Sequence, residues 1–257
     1  MELGPPHLLL LALAAALASA VNSVAGGGSL ITFPALLAVG LPPLNANVSN
    51  NVALFPGTIT SVWSERRQLD GQAARLRWAL LPAAAGGLAG AWVVVNSGAA
   101  VFERLVPWLI LVATLLVAFE PRIKAWSHAK LASASHESRT GLAAASAVGS
   151  LYAGYFGAGQ GLVYLALMAF ALPDALPRLN ALRQVITLAA KAMALGLFAF
   201  GGHVVWPAAL AMAIGSALGG GVAGRFAARI PPAVLRTTVS VIGLIVAGVY
   251  FVHPLGS

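Results

Sequence analysis

Ten apolar runs succeed one another along this chain with scarcely any polar sequence between them. They fall at about 7–24, 29–41, 46–64, 76–96 and 101–119, then at about 141–157, 161–172, 177–200, 205–224 and 233–252, each cut from the next by Gly, Pro, Asn or charge. A helix needs about 20 mainly apolar residues to cross the hydrocarbon core of a bilayer. Only 9% of the residues are charged and 59% are hydrophobic, with a mean hydropathy of +0.87; a soluble domain carries about 25% charged residues. That composition cannot cover a water-facing surface. The chain therefore reads as an all-α polytopic membrane protein of about 8–10 helical segments, with no sizeable domain outside the membrane.

Fifteen Lys and Arg against seven Asp and Glu give a net charge of +8. The cations gather between apolar runs, at 64–77, at 121–139 and at Arg225, Arg229 and Arg236, which the positive-inside rule reads as cytoplasmic loops rather than as a nucleic-acid surface. Placing all three inside predicts a multi-pass protein of the inner (plasma) membrane with both termini outside. The run from Leu8 to Ala18-Ser19-Ala20 imitates a cleavable signal, but Glu2 and the lack of Lys or Arg before it argue that it belongs to the fold. No cysteine is present, which removes disulfides, thiolate nucleophiles and Cys-based metal sites.

The two sets of five runs look duplicated. Ala25-Gly26-Gly27-Gly28 recurs as Ala158-Gly159-Gln160-Gly161, Asn45-Ala46 as Asn180-Ala181, Gly86-Gly87-Leu88-Ala89-Gly90 as Gly220-Gly221-Val222-Ala223-Gly224, and Arg104 as Arg236, at offsets of 132 to 135 residues. The expected organisation is a first transmembrane repeat at 6–120, a basic cytoplasmic linker at 121–139 and a second repeat at 140–252. The second run of each set has only 12 or 13 residues, a rise of about 19 Å at 1.5 Å per residue, well short of the roughly 30 Å core. The first two runs of each half are thus helices broken at a glycine motif, which either cross twice or re-enter. With either choice the second half is inverted relative to the first, an architecture of secondary transporters whose sites lie near the midplane at broken helices.

On these residues the chain resembles the sulfite exporter TauE/SafE family of membrane transporters. The resemblance is carried by Ala25-Gly26-Gly27-Gly28-Ser29-Leu30-Ile31-Thr32-Phe33-Pro34, by Leu41-Pro42-Pro43 and Asn45-Ala46, by Gly157-Ala158-Gly159-Gln160-Gly161, and by Gly201-Gly202-His203-Val204-Val205-Trp206. It implies movement of small sulfur-containing anions such as sulfite or sulfonates. Gln160 stands where the first half has Gly27, so the two glycine motifs differ chemically.

The residues point to an anion independently of that resemblance. Both broken helices restart just after glycine, and a helix N-terminus offers unpaired N–H groups and partial positive charge. Gly26, Gly27, Gly28 and Ser29, and Gly159, Gln160 and Gly161, are therefore candidate binding residues, packing being the alternative for the glycines. Asn47 and Asn51 share a helical face and can donate to an oxyanion, or else cap a helix start. Arg183, Thr187 and Lys191 are four apart and line one stripe, with Gln184 beside them. A Lys or Arg deep in the bilayer costs about 2.5–3.5 kcal/mol on insertion scales and marks a pathway or a paired site. Arg183 could instead snorkel to the surface. For Gly86 and Gly90, and for Gly220 and Gly224, the expectation is helix packing.

The seven acids, Glu2, Glu65, Asp70, Glu103, Glu120, Glu137 and Asp174, all fall at predicted ends or loops, so no buried acid is expected. Neither a Walker A sequence nor a His-Glu-x-x-His or Gly-x-Ser-x-Gly motif occurs, and no enzyme, cofactor or metal is implied. The reading is a secondary transporter, an exporter of a small anion such as sulfite or an organosulfonate. An anion channel and a carrier of another small organic anion such as a carboxylate remain as alternatives. Its partners are that anion and the lipid bilayer, with no nucleic acid; a homodimer is compatible with it.

Overall fold

Proline and glycine set most of the helix boundaries in the computed structural model, which describes residues 3–24, 27–133, 137–220 and 232–252. The helices are α1 (Pro5–Val24), α2 (Ser29–Ala38), α3 (Pro43–Ala53), α4 (Phe55–Glu65), α5 (Ala73–Asn96), α6 (Ala99–Ala118), α7 (Glu120–Ser133), α8 (Arg139–Tyr155), α9 (Gln160–Met168), α10 (Leu176–Phe200), α11 (Trp206–Leu218) and α12 (Pro232–Val252), with a 3₁₀ turn at Arg66–Leu69. No strand occurs among the described residues. Proline opens the first turn of α3, α10 and α11, where its missing N–H costs nothing and its fixed φ suits the helix. The windows Pro5–Asn22, Ala73–Asn96, Ala99–Ala118 and Leu176–Phe200 are long and apolar enough to cross a membrane. The outward surface fits that setting: Leu81 and Phe200 are largely exposed, and all six tryptophans are exposed, four of them toward helix ends, with Trp108 and Trp126 lying mid-helix in α6 and α7.

Hydrogen bonds between loops sort the helix ends into two faces. On one, which carries the basic loops, Arg178 donates to the carbonyl of Asp70 at 3.0 Å, Gln72 donates to the carbonyl of Arg178 at 3.0 Å, and Ser138 N–H donates to Ala171 O at 2.8 Å. On the other, Asn45 donates to His203 O at 2.9 Å and Val205 N–H to Ser49 Oγ at 2.9 Å. The second hairpin, α8 and α9, leaves and returns to the basic face, because Ser138 and Ala171 meet. In the first hairpin α2 leads straight into Asn45 on the far face, where α1 also starts beside α11. Both hairpins turn back to the face they start from, and α10 runs unbroken from one face to the other.

The run at 46–64 forms two helices, because Pro56 interrupts it. Where a continuous helix would bond Gly57 N–H to Ala53 O, a hydroxyl from α11 is inserted: Gly57 N–H donates to Ser216 Oγ at 3.2 Å, and Ser216 Oγ donates to Ala53 O at 2.7 Å. Side-chain insertion into the ladder is a standard cause of such a break. The linker at 121–139 is largely the helix α7.

Close pairing across the two halves builds the core. α1 runs along α11 and α5 along α8; α6 meets α12, and α10 lies against α3 and α4. Small residues permit the approach: a Cβ added at Gly215 would lie 1.9 Å from Ala12 O, and one at Gly86 2.3 Å from Ala147 O. The packing expected at Gly86 and Gly90 is what their neighbours on α8 show; Gly224 lies outside the described residues.

Candidate functional site

The unbroken α10 carries its polar stripe through the middle of the molecule. Arg183, Gln184, Thr187 and Lys191 are all buried, with Lys191 only 5% exposed. They face a small cavity completed by Ser19 and Asn22 of α1, by Gly57, Thr58 and Ser61 of α4, and by Gln160 at the start of α9. Its volume is about 10 Å³, roughly the room of one water molecule. The lining offers two cations, hydroxyls and amides, and no carboxylate.

The two cations are held differently. Lys191 has no hydrogen-bond or ion-pair partner among the described residues, and the cavity it shares with Arg183 has no acid in its lining. Arg183 donates to Asn180 Oδ1 from Nε at 3.1 Å and also from Nη2, and Nη2 reaches the carbonyl of Asn22 at 3.4 Å. Asn180 in turn donates from Nδ2 to both oxygens of Glu65, at 2.9 Å each. Arg183 therefore does not snorkel to the surface; it is buried and bridged to a carboxylate through an amide. A buried unpaired charge is costly, and the side chains that line the cavity with Lys191 include no acid to offset that cost.

The two glycine motifs do different work. In the second hairpin Gly157 and Gly159 have φ of 79° and 69°, the left-handed region that only glycine enters freely. They turn the chain so that Gln160 opens α9 facing the cavity, its side-chain oxygen unpartnered. Gly161 borders a second cavity, on the basic face. In the first hairpin Gly28 is in the ordinary helical region, with φ of −61°. Its N–H donates to Asn22 Oδ1 at 2.8 Å, and a Cβ there would lie 1.9 Å from Ala18 O. Gly27 faces Val117, and Ser29 is buried away from the cavity lining. These residues press α2 against its neighbours; Gly26 lies outside the described residues.

Asn47 and Asn51 are buried as well, but Asn47 braces the second hairpin and Asn51 bonds within its own helix. Asn47 Nδ2 donates to Tyr155 O at the end of α8, at 2.8 Å, and Asn51 Nδ2 donates to Asn47 O at 3.1 Å. Neither lines the central cavity. Sequence reasoning missed Ser19, Asn22, Thr58 and Ser61. Single hydroxyls in apolar helices commonly bond their own backbone, and Thr58 and Ser61 do so, to Leu54 O and Gly57 O; the readable signal was only their i, i+3 spacing. Among the acids, Glu120 is buried after all, with its carboxylate 2.5 Å from Lys124, because α7 folds back over α9 instead of leaving the protein as a polar loop.

A family model for the sulfite exporter TauE/SafE matches residues 11–250. A "Probable membrane transporter protein" of Haemophilus influenzae is 28% identical over 224 residues, 85% of this chain and 84% of its own length. "Probable membrane transporter protein ORF9" of a Sinorhizobium species is 28% identical over 248 residues, 94% of this chain and 91% of its own. "Probable membrane transporter protein YfcA" of Escherichia coli K12 is 26% identical over 242 residues, 91% and 85% of the two chains. No solved structure matches.

Proposed function

From its membership of the sulfite exporter TauE/SafE family, to which this chain belongs, we propose that this membrane transporter carries a small oxyanion, sulfite or an organosulfonate, outward across the inner membrane, binding it between Arg183 and Lys191. The observation that carries the reading is Lys191, a buried cation with no partner among the described residues, in a cavity whose lining has no acid. An oxyanion supplies the missing charge, and Thr187, Gln184 and Gln160 surround it with groups able to donate. A sulfur oxyanion is larger than one water, so the walls move when it enters. That favours a carrier alternating between closed states over a standing pore.

Two inverted repeats, 6–120 and 140–252, fit the same reading. The first helix of each half pairs with the fourth of the other, α1 with α11 and α8 with α5, and each short re-entrant helix leans on the last helix of the opposite half. Such reciprocal pairing is what an exchange about a pseudo-two-fold axis produces. With the basic face toward the cytoplasm, both chain ends lie outside.

The test is anion binding by the purified protein. Sulfite or sulfoacetate should raise its thermal stability at concentrations where chloride does not, and Lys191→Met should abolish the effect while folding normally. Retention of the shift in Lys191→Met would remove the cavity from consideration as the site.

A further inference from the structure

We propose that Glu65 is a tethered counter-anion that occupies Arg183 through Asn180 until the transported anion displaces it. The proposal rests on the oxyanion reading above and concerns how that same site is entered. Three voids follow one another along α10, each sharing a lining residue with the next. One, of about 390 Å³, lies on the basic face between the end of α4 and the start of α10 and touches Glu65, Arg67 and Asn180. A second, of about 230 Å³, lies between α9 and α10 and touches Asn180 and Arg183. The third is the central cavity, which shares Arg183 with the second. A solute moving from the basic face to Lys191 therefore passes Asn180 and then Arg183.

The bonding at that passage is polarised in one direction. The Asn180 amide turns its nitrogen to both oxygens of Glu65 and its oxygen to the Arg183 guanidinium. It thus stands between an anion and a cation and transmits the attraction of each. The remaining acceptor near Arg183 is the Asn22 carbonyl at 3.4 Å, and Nη1 has no protein acceptor among the described residues, although the side chain is only 6% exposed. A guanidinium has five N–H donors, and here part of that set is unmet. The other cation beside Glu65 is Arg67, across the outer void; Arg66 is turned away over the Trp63 ring and donates to Trp63 O. An oxyanion reaching Arg183 offers full negative charge directly, where Glu65 offers it through an intervening amide. Binding therefore frees Asn180, and departure of the anion restores the bridge and closes the passage.

This arrangement predicts an unusual sign. Removing a competitor strengthens binding, whereas removing a merely structural contact weakens it or leaves it alone. Glu65→Gln, in the full-length purified protein, should bind sulfite or sulfoacetate more tightly than wild type by about tenfold, the scale of one charge acting at partly screened range, and should release it more slowly in liposome efflux. Asn180→Leu breaks the bridge while leaving the carboxylate in place and should also tighten binding, the double variant gaining less than the sum of the two. Glu65→Asp, charged but one methylene shorter, should fall between wild type and Glu65→Gln. Tighter binding in either single variant, with Glu65→Asp intermediate, supports the counter-anion role. Equal or weaker binding in both Glu65→Gln and Asn180→Leu overturns it and leaves the oxyanion site standing. A wild-type protein that binds neither anion overturns both.

Discussion

Lys191 and Gly28 show how differently two residues singled out from the sequence can behave in one fold. Lys191→Met removes a buried charge, so folded protein should accumulate at least as well as wild type, yet anion affinity should fall by about tenfold or more, about 1.4 kcal/mol per decade. Titration calorimetry beside a melting curve separates the two effects. Gly28→Ala acts on packing, because its Cβ would meet Ala18 O at 1.9 Å; a stability loss of at least about 1–3 kcal/mol is expected from overpacking, visible as a lowered melting temperature before any effect on binding. The α10 stripe was legible in sequence because three polar residues four apart in an apolar run have few structural excuses. The Asn47 and Asn51 face was legible as buried amide but not as to its target, Tyr155 O, a contact 108 residues away. Ser19, Asn22, Thr58 and Ser61 were invisible as a group because only the fold brings α1 and α4 to the same void.

At the level of elements, the α3–α4 break and the loop around Asp174 each depend on a few polar contacts. Ser216→Ala would leave Ala53 O and Gly57 N–H unpaired inside the bundle, costing about 1–3 kcal/mol, and should lower the melting temperature without removing any cavity-lining group. The sequence run at 46–64 gave little sign of this break, since membrane helices tolerate proline when neighbours re-satisfy the backbone, and the neighbour here comes from α11. Asp174, in the loop before α10, accepts from Arg75, from Ala175 N–H at 2.7 Å and from Arg178 at 3.1 Å. Burial alone would raise its carboxyl; the bonds from Arg75, Ala175 and Arg178 outweigh it and hold the group below the usual carboxylate range. A depressed folded-state value means stabilisation that is present above the unfolded value of about 3.9 and lost as pH falls through the folded one. The stability gap between wild type and Asp174→Asn should therefore be full at neutral pH and close below about pH 4, as followed by thermal melts across that range.

For the whole molecule, the sorting of helix ends into two faces is open to direct test, because the chain has no native cysteine. Ala129→Cys on α7 should react with an impermeant thiol reagent only from the cytoplasm, and Ala99→Cys at the start of α6 only from outside. Labelling of both from one side would contradict the two-face arrangement. The number and rough limits of the apolar runs were readable from hydropathy alone. Whether the short runs crossed or re-entered was not, since length excludes a full span but does not say which loops meet; Ser138 with Ala171 and Asn45 with His203 decide that.

The reciprocal pairing also has a consequence for biosynthesis. Chains are made from the N-terminus, and α5 waits for only about sixty residues before its partner α8 is complete, whereas α1 waits for about two hundred, until α11. During that interval the close-packing face of α1, with Ala12 and Ala16 destined to touch Gly215 and Gly219, has lipid or an insertion factor for company. The packing face of α1 thus stays open far longer than that of α5, and a nascent chain stalled before α11 leaves that face exposed to quality-control proteolysis.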